Sequence, residues 1–251
     1  MCRRMRHLKP REIQGCTIAL DGSIETSLYD ATSGGSLVAA DGSVYRMEDQ
    51  SGNSNHVTQS TTARCPRRRV AARGGMGAIQ FSTDAASLMA AASYYPSSGA
   101  GDVTIISAGL PLTSGTLSCL WLYGQNATGR FVSWYPRYNT TRSATSFIGS
   151  YIGTAAPVVT ADAWHAHTYI ASGATQIQDT SQRVNGASLA ETYTSLPTTT
   201  LNTGTGFPFQ ISANTQRADY FAFVAAFSRA LPAAVIARAE ASVMRKWRIN
   251  G

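Results

Sequence analysis

Charge is scarce in this chain: 14% of its 251 residues are Asp, Glu, Lys or Arg, where a typical globular domain carries about a quarter. Lysine occurs at Lys9 and Lys246 alone, and the other 19 basic residues are arginines. No apolar run approaches the roughly 18 residues of a transmembrane helix; Tyr220 to Phe227, among the longest, has the length of a buried strand. No membrane partner is therefore expected. Cysteine is limited to Cys2, Cys16, Cys65 and Cys119, widely spaced and without a Cys-x-x-Cys pair. Met1 to Pro10 is basic but has no apolar stretch behind it, so no secretory signal is read there. Synthesis in a cytoplasm follows as an expectation, with the cysteines as free thiols and the sequons at Asn126 and Asn139 as chance matches.

The groups that hydrolysis needs are equally scarce. A retaining glycosidase requires two carboxyls about 5 Å apart, which a strand supplies through acids at i and i+2 or i+4. The only adjacent acids, Glu48 and Asp49, would point to opposite faces of a strand, and Asp162 and Asp219 are isolated. No Gly-x-Ser-x-Gly elbow and no Gly-rich phosphate loop with Lys is present. His165 and His167 share a strand face, but with no third ligand indicated they read as half-buried strand histidines. No enzymatic activity is predicted.

What the chain does have is Ser and Thr, 54 together, and 22 glycines, a composition that suits short strands with polar outer faces and many turns. Turn dipeptides recur from Asp21-Gly22 through Gly74-Gly75 to Asn185-Gly186. Between such turns lie strand candidates at 16–20, 43–48, 77–81, 103–110, 117–123, 130–135, 144–152, 164–171, 175–184 and 207–213. Strands spaced by turns argue for an all-β sandwich or barrel. A helical pattern appears only after Pro232, where Val235, Ile236, Ala239, Val243, Met244 and Trp247 recur on one face. Tyr220 to Phe227 is predicted as a strand covered on both faces, by the opposing sheet and by that helix.

The formal net charge of +7 is unevenly placed. Residues 1–12 hold Arg3, Arg4, Arg6, Lys9 and Arg11 against one acid, for +4, and residues 64–73 hold five arginines and no acid, for +5. The remainder is −2. A nucleic-acid groove spreads cations over a face, so nucleic acid is not the expected partner.

Asp41 to His56, with Met-Glu-Asp followed by Gln-Ser-Gly-Asn-Ser-Asn-His, resembles the strand and loop of the LamG-like jelly-roll family (concanavalin A-like lectin/glucanase domains) found in many bacteriophage virion proteins. Arg64-Cys-Pro66, Gly77 to Phe81 with Asp84, and Ala225 to Trp247 resemble its next three anchor points in order. Met47, Ser82 and Phe223 stand where the family usually has Trp, Asp and an acidic residue. The resemblance covers 15–251 and implies a two-sheet antiparallel jelly-roll sandwich with one C-terminal amphipathic helix, leaving 1–14 as a basic arm.

Function is expected to follow that resemblance: a non-enzymatic virion structural protein, a minor capsid, decoration or fibre component, made in the bacterial cytoplasm. Its partners would be major capsid or tail subunits, oligomeric in the assembly, with Arg3, Arg4, Arg6, Lys9 and Arg11 as docking arm. The alternative is a carbohydrate-binding adhesion module. Eight of the 23 aromatics fall within 121–151, and Trp134, Tyr135, Arg137 and Tyr138, flanking Pro136 where a strand is expected to end, are the candidate stacking or partner surface. No cofactor is predicted. Side-chain oxygens alternate through Asp49, Asn53 and Asn55, the one arrangement that suggests calcium, but Gly52 is misplaced for an EF-hand and the twelfth position is Ser60, so Asx turns are the primary reading. Arg64 is expected to pair with Glu48 or Asp49.

Overall fold

A computed structural model describes residues 12–81, 89–111, 119–125, 127–139, 142–146, 151–154, 159–190, 193–195, 198–211 and 220–250; the side chains at 137–139, 142, 144, 146, 151 and 193–195 lie outside that description. The arm residues Arg3, Arg4, Arg6, Lys9 and Arg11 lie outside the described residues as well.

In chain order the strands are β1 (Cys16–Asp21), β2 (Leu28–Tyr29), β3 (Arg46–Met47), β4 (Val57–Thr58), β5 (Arg67–Arg73), β6 (Met76–Gln80), β7 (Met89–Ala91), β8 (Val103–Leu110) and β9 (Trp121–Gly124). They continue with β10 (Phe131–Asn139), β11 (Arg142–Ser146), β12 (Tyr151–Gly153), β13 (His165–Ala171), β14 (Ser181–Val184), β15 (Ala187–Ser188), β16 (Tyr193–Ser195), β17 (Phe207–Ile211) and β18 (Tyr220–Phe227), then the helix α1 (Ala233–Trp247). One antiparallel sheet runs β15-β14-β13-β8-β18-β6-β5, with β1 also on β18; the other runs β16-β12-β11-β10-β9-β17-β7-β4-β3-β2. Among the described residues the chain is all-β with a single α-helix at its end, as the turn spacing predicts.

Two apolar layers explain why β18 is apolar throughout. Phe221, Val224 and Ala226 enter the core between the sheets with Ile18, Ile105, Trp121 and Trp134. Ala222, Phe223, Ala225 and Phe227 enter a second core with Ile236, Ala239 and Trp247 of α1. A register shift between Phe221 and Phe223 against β8 places both Ala222 and Phe223 on the helix side, which is how a bulge reverses the alternation. Ile13 also lies in this second core, so the packed part of the chain reaches into the segment expected to be arm.

Helix α1 begins behind Pro232 and closes on Arg248 in the left-handed conformation (φ 50°). Trp247 is fully buried and stacks on Trp164, with ring centroids 5.2 Å apart. Burying an aromatic side chain of this kind is worth about 2–3 kcal/mol. Glu240, placed by helical spacing on the polar side, is instead buried, and it holds Arg183 of β14 through two bonds of 2.9 and 3.1 Å to Arg183 Nε.

Several strand expectations change. The segment 43–48 contracts to β3, and 144–152 contains two strands, β11 and β12. Residues 175–184 begin with a 3-10 turn at Ile177–Asp179 because the Asp179 carboxylate accepts Thr175 N–H and Gln176 N–H at 3.1 and 2.8 Å, drawing the chain out of the ladder. The arginine-rich stretch proves to be the edge strand β5.

Candidate functional site

The loop after β3 acts as a clamp on β1. Asp49, buried, accepts Ala19 N–H and Ser51 N–H on Oδ1, both at 2.8 Å, and Ser51 Oγ–H and Asn55 N–H on Oδ2 at 2.7 and 3.0 Å. A carboxylate has about four lone-pair directions, and these four donors fill them. Asn53 Nδ2 donates to Cys16 O and Asn55 Nδ2 to Thr17 O, while Asp49 N–H donates to His56 Nδ1 at 3.0 Å. The side chains of Asp49, Asn53 and Asn55, the weak calcium candidates, turn toward the strand backbone. Among the described residues no group of three or more His, Cys, Asp or Glu converges on one point.

The aromatic surface expected at Trp134, Tyr135, Arg137 and Tyr138 also changes. Trp134 is 1% exposed and Tyr135 7%, so neither ring face is open to a ligand. The reason lies in Pro136, where the strand was expected to stop. Instead β10 runs through it to Asn139, with a register shift against β11 between Tyr135 and Asn139 that accommodates a residue lacking N–H. Ser143 Oγ–H donates to the Pro136 carbonyl at 2.6 Å. Tyr135 points to the outer face, clustered with Cys119, Leu122 and Phe131. Arg137 and Tyr138 lie on β10 with side chains outside the described set. Among the described residues, the exposed aromatic on this side is Phe207, 39% exposed and edge-on to Phe131 at 6.3 Å.

Behind Trp134 is a buried polar network that sequence reasoning missed. His167 of β13 lies flat on Trp134 and contacts Gln182 Oε1 through Nε2 at 3.4 Å. Gln182 Oε1 also accepts Thr145 Oγ–H at 2.7 Å, so it bridges the two sheets. Because that oxygen only accepts, the proton sits on His167 Nε2. His167 Nδ1 and His165 Nε2 are buried without a hydrogen-bond partner, and burial pushes both histidines down to about 3. They are neutral core side chains on one face, as their spacing predicts, and more deeply buried than expected. No sequence pattern announces Gln182 or Thr145, since their meeting depends on how the sheets pack.

Of the arginine stretch, Arg68 belongs to the scaffold, donating to Val38 O and pairing with Glu25. Glu48 pairs with Arg46 at 3.3 Å, and Asp49 accepts from the donors above. Arg69 pairs with Asp41, and Lys246 of α1 with Asp21. Cys16, Cys65 and Cys119 are free thiols, and burial pushes Cys16 up to about 12 and Cys65 up to about 11. No described helix is long and apolar enough to cross a membrane.

No family model and no curated protein matches the sequence. Solved structures do match in fold. A GH54 α-L-arabinofuranosidase is similar with a TM-score of 0.64 and 13% identity over 92% of this chain, which spans 63% of that protein. The binding domain of Paraclostridial Mosquitocidal Protein 1 gives 0.54 and 12% identity, covering 94% of this chain and 53% of that one. Trypanosoma rangeli sialidase gives 0.51 and 14%, covering 93% and 33%. At such identities the likeness is one of β-sandwich architecture.

Proposed function

We propose that this chain is a non-enzymatic structural component of a bacteriophage virion, a minor capsid, decoration or fibre protein whose jelly roll attaches it to neighbouring subunits or to a surface. The observation that carries the non-enzymatic half is the engagement of seven of the described carboxylates. Asp21, Glu25, Asp41, Glu48 and Glu240 each hold a different cation, and Asp49 and Asp179 are held by N–H and O–H donors. Paired hydrolytic carboxyls must face a shared substrate, whereas these acids stabilise separate parts of the scaffold. The virion half rests on the four ordered resemblances and on the basic arm, a segment type that is ordered when a partner holds it.

A second reading is a carbohydrate-binding adhesion module, prompted by the names of the fold neighbours, which are glycosidases and a toxin binding domain. Its platform would be Phe207 rather than the buried Trp134. One experiment separates these readings. The tagged chain is followed through gradient purification of the phage that encodes it, and the purified chain is assayed on aryl arabinofuranosides and sialosides and on a glycan array. Co-sedimentation without turnover is expected. Turnover abolished by a single carboxylate substitution, or glycan binding lost in Phe207→Ala by a chain absent from particles, would overturn it.

A further inference from the structure

The C-terminal end of α1 meets the β5–β6 turn, and there Arg73 and Arg248 lie together, with Arg245 in the last turn of the helix; none of the three has a carboxylate partner among the described residues. Arg73, the last residue of β5, donates through Nε to Trp247 O at 3.3 Å and through Nη2 to Arg248 O at 2.8 Å. Its charge therefore caps the helix end, where the dipole favours a cation, and no anion among the described residues pairs with it. Arg248 is exposed, and its side chain lies across the turn: a Cβ built on Gly74 would come within 3.0 Å of Arg248 Cδ, Cζ and Nε. Gly74 and Gly75 take positive φ, 56° and 85°, so the turn both requires glycine and leaves a bare surface for that arginine. Arg245, three residues earlier on α1, is exposed. The neighbouring acids are already used, Asp21 by Lys246 and Ser23, and Asp41 by Arg69.

We infer that Arg73, Arg245 and Arg248 form a docking surface for a carboxylate-rich segment of a partner protein. Guanidinium forks bind carboxylates bidentately, and two of the three are held in place by the fold before any partner arrives. A nucleic acid fits less well, because the cations are concentrated at one helix end and a phosphate backbone requires them along a track. Self-pairing through β5 is opposed by Arg67, Arg69 and Arg73 facing their own copies. The ladder is also shifted between Arg69 and Arg73, so the partner meets side chains rather than an open strand edge. This surface gives the proposed attachment role a partner chemistry and rests on that reading.

The test uses the full chain and a fluorescent oligoglutamate peptide, with binding read by anisotropy at rising salt. The wild-type chain is expected to bind with salt-sensitive affinity, and Arg245→Glu/Arg248→Glu to weaken it about tenfold or more, since charge-assisted pairs are the strong ones. Gly74→Ala, which displaces Arg248 without changing charge, is expected to weaken it too. The control Arg130→Glu/Arg238→Glu, with the same change in net charge, is expected to retain binding. No peptide binding, an equal loss in the control, or tighter binding of duplex DNA through the same arginines would overturn the inference. A chain that fails to bind the peptide yet enters particles loses this surface alone, whereas absence from particles defeats the attachment reading itself.

Discussion

His167 lies flat against Trp134, ring centroids 3.6 Å apart and planes 5° from parallel, so a titratable group of one sheet is packed on a tryptophan of the other. Burial holds His167 and His165 at about 3 in the folded chain, against about 6.5 when unfolded. Below the unfolded value the unfolded state binds more protons, so stability is full above about pH 6.5 and falls as pH drops toward the folded value. The slope is about 1.4 kcal/mol per histidine per pH unit. Thermal melts from neutral pH to about pH 4 are expected to show it, and His167→Phe, which keeps the stack, is expected to flatten the dependence. An unchanged slope would contradict the burial of that imidazole.

Asp49 offers a stability test with a metal arm. Asp49→Asn replaces one acceptor oxygen by a donor facing the Ser51 and Asn55 donors or the Ala19 N–H, leaving buried groups unpaired. The expected cost is about 2–4 kcal/mol by denaturant unfolding. Calcium is expected to leave the wild-type Tm unchanged, and a calcium-dependent rise would restore the metal reading of Asp49, Asn53 and Asn55.

The Arg183–Glu240 pair joins α1 to β14, with the Glu240 side chain 3% exposed and Arg183 25%. Arg183→Met strands a buried carboxylate and is expected to cost about 3–5 kcal/mol. Adding Glu240→Leu to it is expected to recover much of that loss, because a buried ion pair is often no more stable than a well-packed apolar one. Chemical denaturation of the single and double variants checks both statements.

Trp247→Ala removes the stack on Trp164 and empties the layer beneath α1, with an expected cost of about 3–5 kcal/mol. A melt close to wild type would mean that α1 is not part of the cooperative unit.

The elements most legible in the sequence are those whose neighbours cover both faces. Tyr220 to Phe227 and Val103 to Leu110 match β18 and β8 residue for residue, and the apolar stripe after Pro232 marks the buried face of α1. The bulge within β18 was not legible, because a continuous apolar run carries no parity to break. Pro136 misled for a related reason: proline excludes itself from a regular ladder, but a register shift provides a place for it. Asp49 was visible as an Asx segment, while its grip on Ala19 depends on a contact thirty residues distant in sequence. Gln182 with Thr145, Arg183 with Glu240 and Arg73 with Arg248 are likewise products of packing, and no local spacing encodes them.

The measurement that bears most directly on the central claim is incorporation of this chain into particles, compared between the full chain and one lacking residues 1–11. Fixed stoichiometry in gradient-purified particles for the full chain, and loss of the shortened chain at an unchanged Tm, is the result the attachment account predicts. Equal incorporation of the shortened chain would contradict the docking arm, and absence of the full chain from particles would contradict the account as a whole.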